Sequence, residues 1–195
     1  MTDPEETLNL IEEAIKASDY KVGEDVFLAI DAAASEFYED GKYQAKKGQF
    51  LTSDEMVDYL LSLKKAHPAL ISIEDGLGES LSYSSVLGAL IIPTDEKDYA
   101  GWKKLTARIT EEYKDMMVIG DDVYTTNTTL IEKGIAERWA NSLLLKVNQI
   151  GTVSEAMEAA QMIFSKFSLA QWVFWCLKVS FFRGQGQCGR VPPIW

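Results

Sequence analysis

Four side chains stand where chemistry could be done: Asp31, Glu74, Asp121 and Lys146. Each closes or directly follows a short apolar run, in the strings GEDVFLAID, ALISIE, MMVIGD and SLLLK. Three carboxylates gathered at one place repel one another unless a cation lies between them. An all-oxygen donor set suits magnesium better than zinc or copper. A lysine beside such a cation, against a partly desolvated wall, is disfavoured in its protonated form. It can then act as a general base. Taken together, the four residues predict a magnesium site with a lysine base.

The elements that would carry them follow from periodicity. Gly23 to Asp31, Ala69 to Glu74, Met116 to Gly120 and Ser142 to Val147 read as strands, their continuous apolar runs suiting burial on both faces of a parallel sheet. Helices are predicted between and around them. One begins at Asp3-Pro4, with a cap and a proline at the first helical position, and runs to about Ala17. A second begins at the Thr52-Ser53-Asp54-Glu55 capping box and stops near His67-Pro68. Others are expected through Trp102, Leu105 and Ile109, from Asn127 to about Trp139, and from Ser154 to Met162. Strands alternating with helices predict βαβ units around a parallel sheet. In such folds the C-terminal strand ends line the functional face. Neighbouring strands lie about 4.8 Å apart, so the four side chains can converge. The bland alternative is that acids after strands cap the next helix, and that Lys146 is an interior ion-pair partner.

Of the 195 residues, 47% are hydrophobic, enough to bury one good core, so a single soluble domain is expected. With 19 Lys+Arg against 30 Asp+Glu the formal charge is -11, which argues against nucleic acid and anionic lipid as partners. The start of the chain is polar and acidic, unlike a secretory signal, so a cytoplasmic location is expected. Cys176 and Cys188 have no neighbours at metal-ligand spacing and argue for neither zinc nor a disulfide framework. His67, beside Pro68, reads as a solvated helix-end residue. Gly76 and Gly78 make no dinucleotide fingerprint.

Two segments break the pattern. The nearly uncharged stretch between Glu79 and about Lys97 is long for a loop, although Val86 to Ile92 could add a strand. From Ile163 to Trp195 the chain is aromatic, acid-free and without clean alternation, and its apolar part is too short to span a membrane.

Several strings resemble enolase: AIDAAASEFYEDGKY, SIEDGL, KDYAGWKKLT, VIGDDVYTTN and SLLLKVNQIGTVSEAMEAAQM stand in family order and at near-family spacing. The resemblance covers most of Asn9 to Met162. It implies an α/β fold, a partial TIM-type (β/α) barrel of about four βα units over residues 1–162. Residues 80–96 would be an insertion foreign to the family, and residues 163–195 a foreign tail with little structure. By resemblance, Asp31 in IDAAASEF, Glu74 in SIEDGL and Asp121 in GDD correspond to the magnesium ligands. Lys146 in LLLKVNQIG corresponds to the base that takes the C2 proton of 2-phosphoglycerate. A lysine base with magnesium stabilising the resulting enolate is the established pattern of that superfamily. The implied activity is that of a phosphopyruvate hydratase, a lyase that reversibly dehydrates 2-phosphoglycerate to phosphoenolpyruvate in glycolysis. Pairing as a homodimer is also implied. The family's general-acid glutamate, phosphate-holding Arg-Ser pair and second lysine find no counterpart here. The alternative expectation is therefore a catalytically incompetent enolase fragment or splice form that binds magnesium or other chains.

Overall fold

Residues 3–46, 48–78, 81–87, 90–95 and 98–166 are described by a computed structural model. The chain opens with helix α1 (Pro4–Ala17), strand β1 (Leu28–Asp31) and a 3-10 turn (Ala34–Phe37). Three short strands follow, β2 (Tyr38–Glu39), β3 (Lys42–Lys46) and β4 (Gln49–Leu51), then α2 (Ser53–Ala66) and β5 (Leu70–Glu74). After β6 (Leu81–Leu87) and β7 (Leu90–Asp95) come α3 (Tyr99–Glu112), β8 (Met117–Gly120) and α4 (Thr128–Glu137). The last described elements are β9 (Ser142–Leu143), α5 (Val147–Ile150) and α6 (Val153–Lys166).

The main sheet has the order β1-β5-β8-β9, and every pairing in it is parallel. Each strand lies beside the next in chain order, with a helix in each crossover. That is the winding of a (β/α) barrel, whereas a doubly wound sheet reverses direction at a switch point. β1 and β9 are its edges among the described residues. Alternation along the strands separates two apolar layers. Val118, Ile73 and Leu143 join the large core with Leu60, Trp102, Leu105, Ile109 and Ile131 from the helices. Met117, Ile119 and Leu144, with Ile71 against them, form a second cluster from strand and strand-end residues alone, as the interior layer of a barrel does.

Local chemistry explains most of the boundaries. The capping box of α2 is complete: the Thr52 side chain accepts the Glu55 N–H and the Glu55 carboxylate accepts the Thr52 N–H. Asp3 caps α1 by accepting the Glu5 N–H, and Asn127 caps α4 by accepting from Thr129 and Leu130. α2 ends at His67, as expected, but the ring is not solvated. It is 2% exposed, and its Nδ1 lies 2.8 Å from Glu12 Oε1, because α1 brings that carboxylate over the end of α2.

Three features differ from the periodicity. A small antiparallel sheet, β2-β3-β4, intervenes between β1 and α2. It begins with a two-residue hairpin whose Asp40 and Gly41 both have positive φ, +50° and +76°. It is anchored by buried Tyr43, whose hydroxyl donates to Asp98 Oδ2 at 2.8 Å and accepts the Gly78 N–H at 2.9 Å. The stretch around Val86 to Ile92 contributes two strands, since β6 and β7 form an antiparallel hairpin of their own. The fourth parallel strand is shorter than predicted, because the backbone turns at Lys146 into α5. α6 continues to Lys166, and the rest of the expected unstructured tail lies outside the described residues. Among the described residues no helix is long and apolar enough to cross a membrane.

Candidate metal centre

The register of the main sheet brings the strand ends level. Asp31 of β1 is paired with Glu74 of β5, and Asp121 follows directly on β8, which pairs with β5 through Glu74 and Ile119. Asp31 is exposed, and its Oδ1 accepts the N–H of Ala33, a turn residue with φ +44°. Glu74 is half-buried, and Asp121 is 4% exposed.

Two acidic groups result, Asp31-Glu74-Asp75 and Asp75-Asp121-Asp122, each with potential ligand oxygens within 4.8 Å of one another. The expected trio of Asp31, Glu74 and Asp121 is thus not one such group among the described residues; Asp75 links its two parts. The donor set could hold a hard cation: it is all carboxylate oxygen, with no sulfur or imidazole to favour a softer metal. Asp31 and Asp122 are exposed, which leaves a hydrated ion access.

Lys146 reaches the second group, where its Nζ makes an ion pair with Asp121 Oδ2. Burial acts most strongly on its pKa and lowers it, but Asp121, Asp122 and Glu74 together outweigh burial and raise it. In this arrangement Lys146 is an ammonium held by carboxylates. Its backbone N–H donates to Thr126 Oγ1 at 3.0 Å, and that hydroxyl donates to Gln149 Oε1 at 3.2 Å. The Gln149 amide in turn donates to Asp122 Oδ1 at 3.0 Å and, more distantly, to Asp121 Oδ1 at 3.4 Å. Burial pushes the Asp75 carboxyl up to about 7, against the lowering effect of the N–H bonds it accepts from Asp121 and Asp122.

Strand spacing therefore located four of the acidic and basic groups and missed Asp75, Asp122, Thr126 and Gln149. Asp122 was visible as the second acid of Asp121-Asp122, and Gln149 as the residue one helical turn beyond Lys146. Asp75 was concealed by its backbone: φ is +43°, so the alternation that assigns strand residues to faces ends one residue earlier.

Parallel strands wound in chain order, with carboxylates and a lysine grouped beyond their C-terminal ends, define a protein of the (β/α) barrel class with a site suited to a hard cation. The sequence matches the family described as enolase, C-terminal TIM barrel domain, over residues 1–173. The chain belongs to the enolase family, and its parallel sheet of four strands is part of that family's barrel.

Proposed function

We propose that the chain carries the magnesium and proton-abstraction centre of a phosphopyruvate hydratase, the lyase that interconverts 2-phosphoglycerate and phosphoenolpyruvate in glycolysis. The observation that carries this reading is the meeting of Lys146 with Asp121 at the sheet end where Asp31 and Glu74 are paired. Asp31, Glu74 and Asp121 are the proposed magnesium ligands, and the proposed location is cytoplasmic. Bound magnesium would supply positive charge at this end of the sheet, both toward the substrate carboxylate and against the ammonium of Lys146. Lys146 Nζ, once free of its proton, takes the C2 proton of 2-phosphoglycerate. Thr126 fixes the backbone at Lys146, and Gln149 links that residue to Asp122. These bonds hold the base in position before substrate arrives.

A second reading is favoured by one observation, the direct ion pair between Lys146 and Asp121. A lysine that stays an ammonium can hold Asp121 in place but cannot accept a proton. The chain would then be a magnesium-binding form without turnover, associating with other chains, a second copy included. A coupled assay of the full chain with 2-phosphoglycerate and Mg2+, reading phosphoenolpyruvate, separates the two. Under the first reading the chain turns over, and Lys146→Ala lowers the rate by about a hundredfold or more. Turnover surviving that substitution would remove Lys146 from the role of base. A folded, Mg2+-binding chain without turnover would establish the second reading.

A further inference from the structure

Asp75 is bonded to the segments around every strand end that carries a proposed ligand. Its N–H donates to Ile119 O on β8 at 3.1 Å, and its C=O accepts the Ala34 N–H, just beyond β1, at 3.0 Å. Its carboxylate takes both backbone donors at the start of the next loop: Oδ1 accepts the Asp121 N–H at 2.9 Å, and Oδ2 accepts the Asp122 N–H at 3.2 Å. The residue is 3% exposed, and φ is +43°, a left-handed conformation that aspartate tolerates better than most residues. A buried carboxylate is costly unless hydrogen-bonded, so this geometry is a specific tie between loops.

We propose that Asp75 is a positioning residue which, by holding the Asp121-Asp122 backbone through both carboxylate oxygens, sets the spacing between the Asp31-Glu74 pair and Asp121, and with it the cation affinity of the site. The proposal rests on the magnesium reading above. The acidic pairs on either side belong to different strands. Asp75 is the residue common to both acidic groups. Partners that orient ligands from behind in this way govern metal affinity by about 10–100-fold.

The test uses the full chain and Asp75→Asn, which keeps the side-chain shape and the tolerance for positive φ. Its single carbonyl oxygen can accept only one of the two loop donors well, and its NH2 faces the other. Calorimetric titration with Mg2+ is combined with amide hydrogen exchange of the metal-free protein. The expected result is Mg2+ affinity about 10–100-fold weaker, together with faster exchange at Asp121 and Asp122 and unchanged exchange in α2. Weaker Mg2+ binding with unchanged exchange at those amides would make Asp75 a direct ligand and overturn the proposal. Faster exchange with unchanged Mg2+ affinity would make the tie structural only and overturn it equally. Wild-type protein that binds no Mg2+ would overturn the magnesium reading, and the proposal with it. A wild type that binds and a variant indistinguishable from it in both assays would overturn the proposal alone. If the asparagine variant loses its fold by circular dichroism, Asp75→Ser is read in the same two assays.

Discussion

A methyl group added to Gly134 would collide with the ring of Tyr124 and come within 2.7 Å of its hydroxyl oxygen. Tyr124 has little room to yield, being buried and stacked near Trp139 with ring centroids 6.4 Å apart. Inside a helix, alanine is ordinarily preferred to glycine by about 0.8–1.0 kcal/mol. Overpacking a closed site costs about 1–3 kcal/mol, so the sign should reverse here. Gly134→Ala is expected to lower stability by up to about 2 kcal/mol in urea unfolding; a stabilised variant would mean that the tyrosine swings aside. The same contrast between local pattern and neighbourhood decides what could be read of the site. Asp31, Glu74, Asp121 and Lys146 were legible because repeated apolar runs end at them. Asp75 was not, because its importance lies in a left-handed backbone and in bonds to a loop that strand alternation cannot see. The burial of His67 was hidden for a related reason: its partner, Glu12, lies on another helix.

At the scale of elements, helices α1 to α4 were the more readable part of the structure, since each carries a side-chain cap and a turn-by-turn apolar face, whereas α5, which has no side-chain cap, went unread. Thr52 illustrates how much rests on such a signal. Replacing it with alanine removes the acceptor for the Glu55 N–H and is expected to cost about 0.5–2 kcal/mol in chemical unfolding, with Thr52→Ser restoring most of it. A Thr52→Ala chain as stable as wild type would mean that packing alone holds the start of α2. The small β2-β3-β4 sheet went unread although Asp40-Gly41, two residues suited to positive φ, is a recognised hairpin signal. The shortness of β9 left no such mark. There Asn141 stands in for strand backbone: its side chain accepts the Val118 N–H at 2.8 Å and donates to Met116 O at 3.1 Å. Side-chain amides extending a ladder carry no periodic signature.

For the whole molecule, the fold class was legible because alternating elements admit few topologies, and the family strings narrowed these to one. The strand order β1-β5-β8-β9 has a consequence in time as well as in space. Among the described residues, each strand of this sheet after β1 is laid against one that already exists. During synthesis, such a chain can be consolidated from its N-terminus as it leaves the ribosome, unit by unit. A nascent chain stalled once β8 is outside the exit tunnel should therefore already resist limited proteolysis between β1 and β5. If that protection came only after β9 had emerged, the sheet would close in a single late step, and the growing polypeptide would depend on chaperones for most of its synthesis.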